Sequence, residues 1–212
     1  MLLITLLLVI CVFLPAVKPI IQQSSIKFII DAGHGLPDGG AVGIDGTTEQ
    51  VLNLQIAKKL ENLFPSDHTI MTRSDEQSLA KIQGTIRDKK LSDMKERIVV
   101  AENYANAVWI SIHMNTYPNS SVYGCQVFYR DNDEKSKQMA QKLQNFINEQ
   151  LQPDHIKYIK PIPESLYLFK NIPNTPILIE CGFISNPDDL QKLKSDTYQN
   201  KLARLIYDAV VQ

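Results

Sequence analysis

The 212-residue sequence lacks an excess of charge of either sign. It contains 22 Lys and Arg residues against 23 Asp and Glu residues, which gives a formal net charge of −1. A protein that binds nucleic acid usually carries a basic patch or an arginine-rich run, and this sequence has neither. The charge balance therefore excludes a nucleic-acid-binding protein.

Glycine, proline and cysteine are also scarce. The 9 Gly and 11 Pro residues are too few and too scattered for a fibrous or low-complexity protein, and a hydrophobic share of 44% is typical of one globular domain. The spacings of Cys11, Cys125 and Cys181 match neither a zinc knuckle nor a CxxC pair. We expect all three to be small buried hydrophobic residues. A Cys125–Cys181 disulfide would require an oxidising compartment.

The N-terminus begins with a long hydrophobic run. Residues 1–17 carry no charged side chain, and Lys18 is the first. The run falls short of the roughly 20 residues of a spanning helix, and it has no basic n-region and no A-x-A cleavage site. We expect residues 1–21 to be an N-terminal targeting segment, and we favour an uncleaved membrane anchor over a cleaved signal. The alternative, a buried core helix, is disfavoured by Pro15. The protein is therefore expected to work outside the cytoplasm, membrane-anchored or secreted.

Strands and helices alternate over residues 26–212, the predicted catalytic domain. Apolar runs predict strands at 26–30, 69–72, 108–113, 125–130 and 175–180. The alternation predicts an α/β fold with three layers, a mostly parallel twisted sheet covered by helices on both faces.

Four predicted helices separate or follow these strands. The first begins at a capping box with Thr47 as the N-cap and Gln50 at position N3, which places Glu49 in its first turn. Apolar residues at helical spacing predict the other three: Leu91, Met94, Ile98, Ala101 and Ala105; Met139, Leu143, Phe146 and Ile147; Tyr198, Leu202, Leu205, Ile206 and Ala209.

Residues able to bind metal lie near the predicted ends of three strands. His34 follows the first strand, and His113 and Glu180 end two later ones. In open α/β sheets the reactive crevice lies beyond the carboxyl ends of the strands. Two imidazoles with a carboxylate form a catalytic zinc set, and a further carboxylate can transfer protons. Together with Glu49, these residues supply all four groups.

Each of these residues also has an ordinary explanation. His34 could hydrogen-bond within its glycine turn, and Glu49 could complement the helix dipole. His113 could be a satisfied core histidine, whereas Glu180 at the end of a buried strand needs a partner or a function. Their joint position at one edge of one sheet favours a functional site.

Several motifs resemble those of zinc-dependent N-acetylmuramoyl-L-alanine amidases, in family order, from about Ile26 to the C-terminus: Asp31-Ala-Gly-His34-Gly, Glu49 with Asn53, Thr72-Arg73, Arg97, Ser111-Ile-His113-Met-Asn115 and Glu180-Cys-Gly182-Phe-Ile-Ser-Asn186. The resemblance implies hydrolysis of the amide between the lactyl group of muramic acid and L-alanine in peptidoglycan. It implies Zn2+ as the cofactor, His34, Glu49 and His113 as zinc ligands, and Glu180 as the catalytic residue. Asn53 lies one turn beyond Glu49, and Asn115 lies two residues past His113. Either could support a metal ligand or face the substrate, and no substrate-binding residue is assigned.

Within that family the germination-specific amidases of endospore formers are the most similar, through residues 35–43, 124–129 and 166–171. Leu36 follows His34 and Gly35 at the position where most members of the family have a second glycine. The likeness implies spore cortex as the substrate, with a downstream deacetylase before muramic δ-lactam formation. The forespore intermembrane space is the candidate location, and an accessory activator is a candidate partner. A vegetative autolysin and another zinc peptidoglycan hydrolase, such as a carboxypeptidase, remain alternatives. A non-catalytic wall-binding module is disfavoured by the intact Glu180.

Overall fold

The structure, a computed structural model, describes residues 27–211, so the predicted targeting segment at 1–21 lies outside the described residues. Within the described range, no helix combines the length and the apolar character needed to cross a membrane. The elements in this range are, in chain order, β1 (Phe28–Ala32), α1 (Glu49–Glu61), β2 (Thr69–Met71), α2 (Ile86–Asn103), β3 (Val108–Asn115), β4 (Gln126–Tyr129), α3 (Glu134–Gln150), β5 (Lys160–Pro161), α4 (Tyr167–Asn171), β6 (Thr175–Phe183), α5 (Pro187–Leu193) and α6 (Asp196–Val211).

The strands form one sheet in the order β2-β1-β3-β6-β4-β5. The pairs from β2 to β6 are parallel, whereas β4 pairs with β6 in the antiparallel direction. The predicted α/β fold with a mostly parallel sheet is therefore confirmed. The antiparallel pair was not predicted; a loop without a helix joins β3 to β4, and parallel neighbours normally require a helical crossover.

The two faces of the sheet carry different side chains because successive residues of a strand point to opposite faces. In β3, Ile110 and Ile112 belong to the large apolar cluster that α1, α3 and α6 also contribute to; we call this side the α1/α3/α6 face. Trp109 belongs to a smaller cluster with residues of α2 and α4, the α2/α4 face. Ser111 and His113 follow Trp109 at alternate positions, so they lie on the α2/α4 face.

The start of α1 differs from the prediction. Thr48, not Thr47, is the N-cap residue, and its side chain makes no capping hydrogen bond, so the Thr47–Gln50 capping box is wrong. The first backbone N–H groups are instead satisfied by the preceding loop, since Glu49 N donates to Ala41 O at 2.8 Å and Gln50 N to Gly39 O at 3.1 Å. The loop therefore replaces the side-chain cap and fixes Glu49 at the start of the helix.

The second helix is longer and more polar than predicted. It begins at Ile86 behind a genuine capping box between Thr85 and Asp88, and it ends before Ala105. Leu91, predicted to be on the apolar face, is 41% exposed. The buried side chains of α2 are instead mostly polar: Ser92, Asp93, Arg97 and Ala101.

The predictions for the third and the last helix and for two of the cysteines are confirmed. The apolar faces of α3 and α6 pack on the large cluster as predicted, although β5, α4 and α5 were not predicted. Cys125 and Cys181 are buried free thiols, as expected of small hydrophobic residues, and Cys11 lies outside the described residues.

Candidate metal centre and active site

The four predicted site residues converge at the carboxyl edge of the sheet. His34 lies two residues beyond β1, and Glu49 is the first residue of α1. His113 and Glu180 lie within β3 and β6, each a few residues before the strand ends, and they are paired in register. Because adjacent strands are about 4.8 Å apart, this register places Glu180 beside His113.

Three of these residues form one compact group. The ligand atoms of His34, Glu49 and His113 all lie within 4.8 Å of one another. Glu49 bridges the two imidazoles, with Oε2 at 3.2 Å from His34 Nε2 and Oε1 at 2.9 Å from His113 Nδ1. Such a group could hold a metal ion.

The charges of the group are set by these contacts. Burial raises the pKa of Glu49, but the two histidines outweigh burial and hold it well below its usual range. Burial lowers the pKa of His34, but the carboxylates of Asp38 and Glu49 raise it to about 9. Glu49 is also fixed by backbone donors, Ala41 N at 2.9 Å and Met114 N at 3.0 Å.

Two glycines allow these side chains to approach. A Cβ atom on Gly33 would lie 2.3 Å from the His113 ring, and one on Gly40 would lie 2.5 Å from Glu49 Oε2. Gly40 also has a φ of +70°, in the left-handed region that favours glycine. The glycine-rich loop therefore has to lack side chains at these two positions for the group to form.

Glu180 lines a cavity of about 240 Å³ next to the group, together with Met94, Leu168, Phe169 and Leu178. Its Oε2 atom is buried and has no hydrogen-bond partner. Burial raises the pKa of Glu180 to about 7, against the lowering effect of nearby His113. A buried carboxylate oxygen without a hydrogen-bond partner is rare in proteins, and it indicates a functional role for Glu180.

The residues present fit a catalytic zinc ion. Two imidazoles and one carboxylate are a ligand set that such sites use, with a fourth position left open for water or substrate. The unpartnered oxygen of Glu180 adjoins that set and supplies a carboxylate outside it.

Two buried arginines, to which no role was assigned from sequence, hold the loop that carries His34. Arg97 donates to the His34 carbonyl oxygen at 2.6 Å and pairs with Asp31. Arg73 donates to the carbonyl oxygens of Ala32 and Gly33 at 2.9 Å each. The signal in the sequence was Asp31 itself, because a carboxylate in an apolar strand needs a partner.

Of the two asparagines left unassigned, one contacts the group. Asn53 Nδ2 donates to Gly33 O at 3.0 Å and to Glu49 Oε1 at 3.4 Å. Asn115 Oδ1 instead accepts from the backbone of Thr116. Asn53 therefore supports Glu49, whereas Asn115 faces its own loop.

The fold and the site together define an α/β protein with a two-histidine, one-glutamate group and a separate carboxylate at the carboxyl edge of its sheet. This is the class of arrangement that metal-dependent hydrolases use. The family model of the N-acetylmuramoyl-L-alanine amidases called Amidase_3 matches residues 28–212. The chain therefore belongs to this family and is an amidase, as its motifs indicated.

Known relatives agree with this assignment. The chain is 31% identical over 187 residues to the germination-specific N-acetylmuramoyl-L-alanine amidase of Bacillus subtilis strain 168, covering 86% of this chain and 77% of the relative. It is 28% identical over 198 residues to the amidase LytC of the same organism, which covers 92% of this chain but 36% of LytC. Among solved structures, the CwlD amidase of Clostridioides difficile, determined in complex with the GerS lipoprotein, has a TM-score of 0.82 at 36% identity, covering 87% of this chain and 96% of that one.

Proposed function

We propose that the protein is a zinc-dependent amidase that hydrolyses the bond between the lactyl group of muramic acid and L-alanine. His34, Glu49 and His113 hold the zinc ion, and Glu180 is the catalytic residue. The observation that carries this proposal is the grouping of three ligand atoms within 4.8 Å beside a buried carboxylate oxygen without a partner.

The chain's own residues account for the proton transfers. A zinc ion held by His34, Glu49 and His113 would supply a Lewis acid able to polarise the scissile carbonyl and to lower the pKa of water to about 7. Glu180 takes a proton from the attacking water and returns it to the departing amine, which would otherwise be a poor leaving group. The unpartnered Oε2 atom is free to accept that proton, and such acid–base catalysis typically contributes roughly 10²–10⁴-fold.

The proposed place of action is outside the cytoplasm. Residues 26–212 form the catalytic domain, and residues 1–21 serve as the membrane anchor or signal. Peptidoglycan is extracytoplasmic, so the substrate of this family supports the placement. No nucleic acid enters the reaction.

The proposed substrate is spore cortex peptidoglycan. The germination-specific relative and the complex of CwlD with a lipoprotein support this choice. Cleavage then bares muramic acid for a separate deacetylase and formation of muramic δ-lactam, and an accessory protein of the lipoprotein class assists the enzyme. A vegetative autolysin is the second candidate, because the chain is also 28% identical to the amidase LytC, whose name is not tied to germination.

The test is zinc content and peptidoglycan digestion by the full-length chain. We expect one bound zinc ion and release of intact stem peptides from purified cortex. Glu180→Gln should lose turnover by roughly 10²–10⁴-fold and keep its zinc, whereas Glu164→Gln, a change at an exposed glutamate, should keep both turnover and zinc. Released D-amino acids would identify a carboxypeptidase, full activity of Glu180→Gln would exclude the proposed base, and equal digestion of vegetative wall would favour the autolysin.

A further inference from the structure

The two histidines of the group are held differently. His34 contacts a carboxylate at each ring nitrogen, with Glu49 Oε2 at 3.2 Å from Nε2 and Asp38 Oδ2 at 2.9 Å from Nδ1. For His113, the structure has one carboxylate contact, Glu49 at Nδ1. Asp38 thus contacts the ring nitrogen of His34 that points away from the group.

The Asp38 carboxylate at Nδ1 determines which ring nitrogen of His34 can bind a metal ion. The imidazole must be neutral to bind metal, and a neutral imidazole carries one N–H. The Asp38 carboxylate accepts hydrogen bonds only, so it keeps the proton on Nδ1. The lone pair of Nε2 is then left for the metal, and the ring cannot turn without losing the contact.

We infer that Asp38 is a positioning residue for His34, holding the ring and its tautomer so that Nε2 faces Glu49 and His113. The inference rests on the proposed zinc function.

The loop is built to present Asp38 in this way. Gly35 and Asp38 exchange backbone hydrogen bonds at 3.0 Å in both directions, which closes a tight turn behind His34. Asp38 Oδ1 accepts from Gly40 N at 3.2 Å. His34 itself has a φ of +60°, a conformation uncommon outside glycine. The ring contact therefore adds to the backbone contacts that hold an unfavourable conformation.

Lys90 connects Asp38 to α2. Its Nζ atom lies 3.0 Å from Asp38 Oδ2, and its side chain is 47% exposed. Ion pairs at exposed sites contribute little to the free energy of folding. We therefore expect Lys90 to affect His34 far less than Asp38 does.

The test measures zinc affinity of the full-length chain by competition with a chromogenic chelator. Losing a carboxylate partner of a metal-bound histidine typically weakens binding by roughly 10–100-fold, and this is the expected effect of Asp38→Ala. Asp38→Asn keeps a side-chain oxygen that can accept from Nδ1, so it should restore part of the affinity. Asp45→Asn is the matched control, because Asp45 pairs with Lys194 at 2.5 Å and contacts none of the proposed ligands.

Unfolding of the metal-free protein separates positioning from general stability. We expect the melting temperature of metal-free Asp38→Ala to fall only slightly, because the contacts of Asp38 with Gly40 N and His34 are lost, and the protein to stay folded while its zinc affinity falls by the full factor of roughly 10–100. Equal zinc affinity in Asp38→Ala and the unaltered chain would overturn the inference and leave the proposed function intact. No zinc binding by the unaltered chain would overturn both.

Discussion

The two faces of the sheet differ in what they bury. The α1/α3/α6 face buries a large apolar cluster that includes Ile110 and Ile112 of β3, with a few polar side chains such as Gln144 and Gln199 beside it. The α2/α4 face buries Asp31, Arg97 and Ser111 in a hydrogen-bonded network below the site. One strand serves both faces because its side chains alternate. The network below the site thus lies on one side of the sheet, whereas Glu49 and Asn53 reach the site from α1 on the other side.

Burying the charged groups of the α2/α4 face costs more free energy than burying apolar side chains. A buried ion pair stabilises a protein little in net terms, but removal of one partner leaves the other charge uncompensated. Arg97 is 2% exposed and also donates to the His34 carbonyl oxygen. We therefore expect changes on the α2/α4 face to affect both stability and metal binding, and changes in the apolar cluster of the other face to affect stability alone.

The largest effect should come from Arg97→Met. It leaves the Asp31 carboxylate buried without its charge partner, so we expect the free energy of unfolding to fall by about 3–5 kcal/mol. Zinc affinity should fall as well, because the His34 loop loses a donor. Urea unfolding and chelator competition measure the two effects. A stable Arg97→Met protein with unaltered zinc affinity would contradict the assigned role of this face.

On the opposite face, Leu143→Ala is the matched apolar change. Leu143 is fully buried in the large cluster, and such truncations typically cost about 2–5 kcal/mol. Zinc affinity of the protein that remains folded should not change. If it did, the separation between the faces would fail.

The pH dependence of stability should carry the signature of Asp31. Burial raises the pKa of this carboxyl, but Arg97 and the Ser111 hydroxyl outweigh burial, and the net pKa is lowered. A lowered pKa in the folded state contributes stability above the unfolded pKa of about 3.9, and that contribution is lost as the pH falls through the folded value. Asp31→Asn should therefore lose stability at pH 7 and show a shallower loss on acidification. Urea titrations of the metal-free protein between pH 3 and 7 test this, and identical slopes would exclude Asp31 as a source of acid sensitivity.

The smallest effect is expected on the outer surface of α6. Arg204 is 61% exposed and pairs with Asp208 one turn later. Exposed pairs of this kind contribute roughly 0.3–0.5 kcal/mol, and the guanidinium also lies 5.3 Å from the centre of the Tyr207 ring, a contact worth about 0.5–1 kcal/mol at an exposed site. Arg204→Ala should therefore lower the free energy of unfolding by at most about 1.5 kcal/mol and leave zinc affinity unchanged. A loss comparable to that of Leu143→Ala would show that the contrast between the faces is overstated.

Local signals predicted much of the fold, but they failed where distant groups replaced them. The apolar spacing in α3 and α6 correctly predicted which face of each helix packs on the large cluster. The start of α1 was predicted one residue early because backbone carbonyls of Gly39 and Ala41 take the place of a side-chain cap. The buried side of α2 was misjudged because Asp93 and Arg97 are satisfied by each other and by β1, not by apolar contacts.

The sequence by itself determined the α/β class, the family and the identities of the groups at the site, since periodicity and motif spacing are local properties of the chain. Tertiary structure alone decided how those groups meet. The register of β3 with β6 sets Glu180 beside His113, and the loop after β1 brings Asp38 to the far nitrogen of His34. Such contacts depend on the packing of segments distant in the chain, and no local pattern encodes the distance between them.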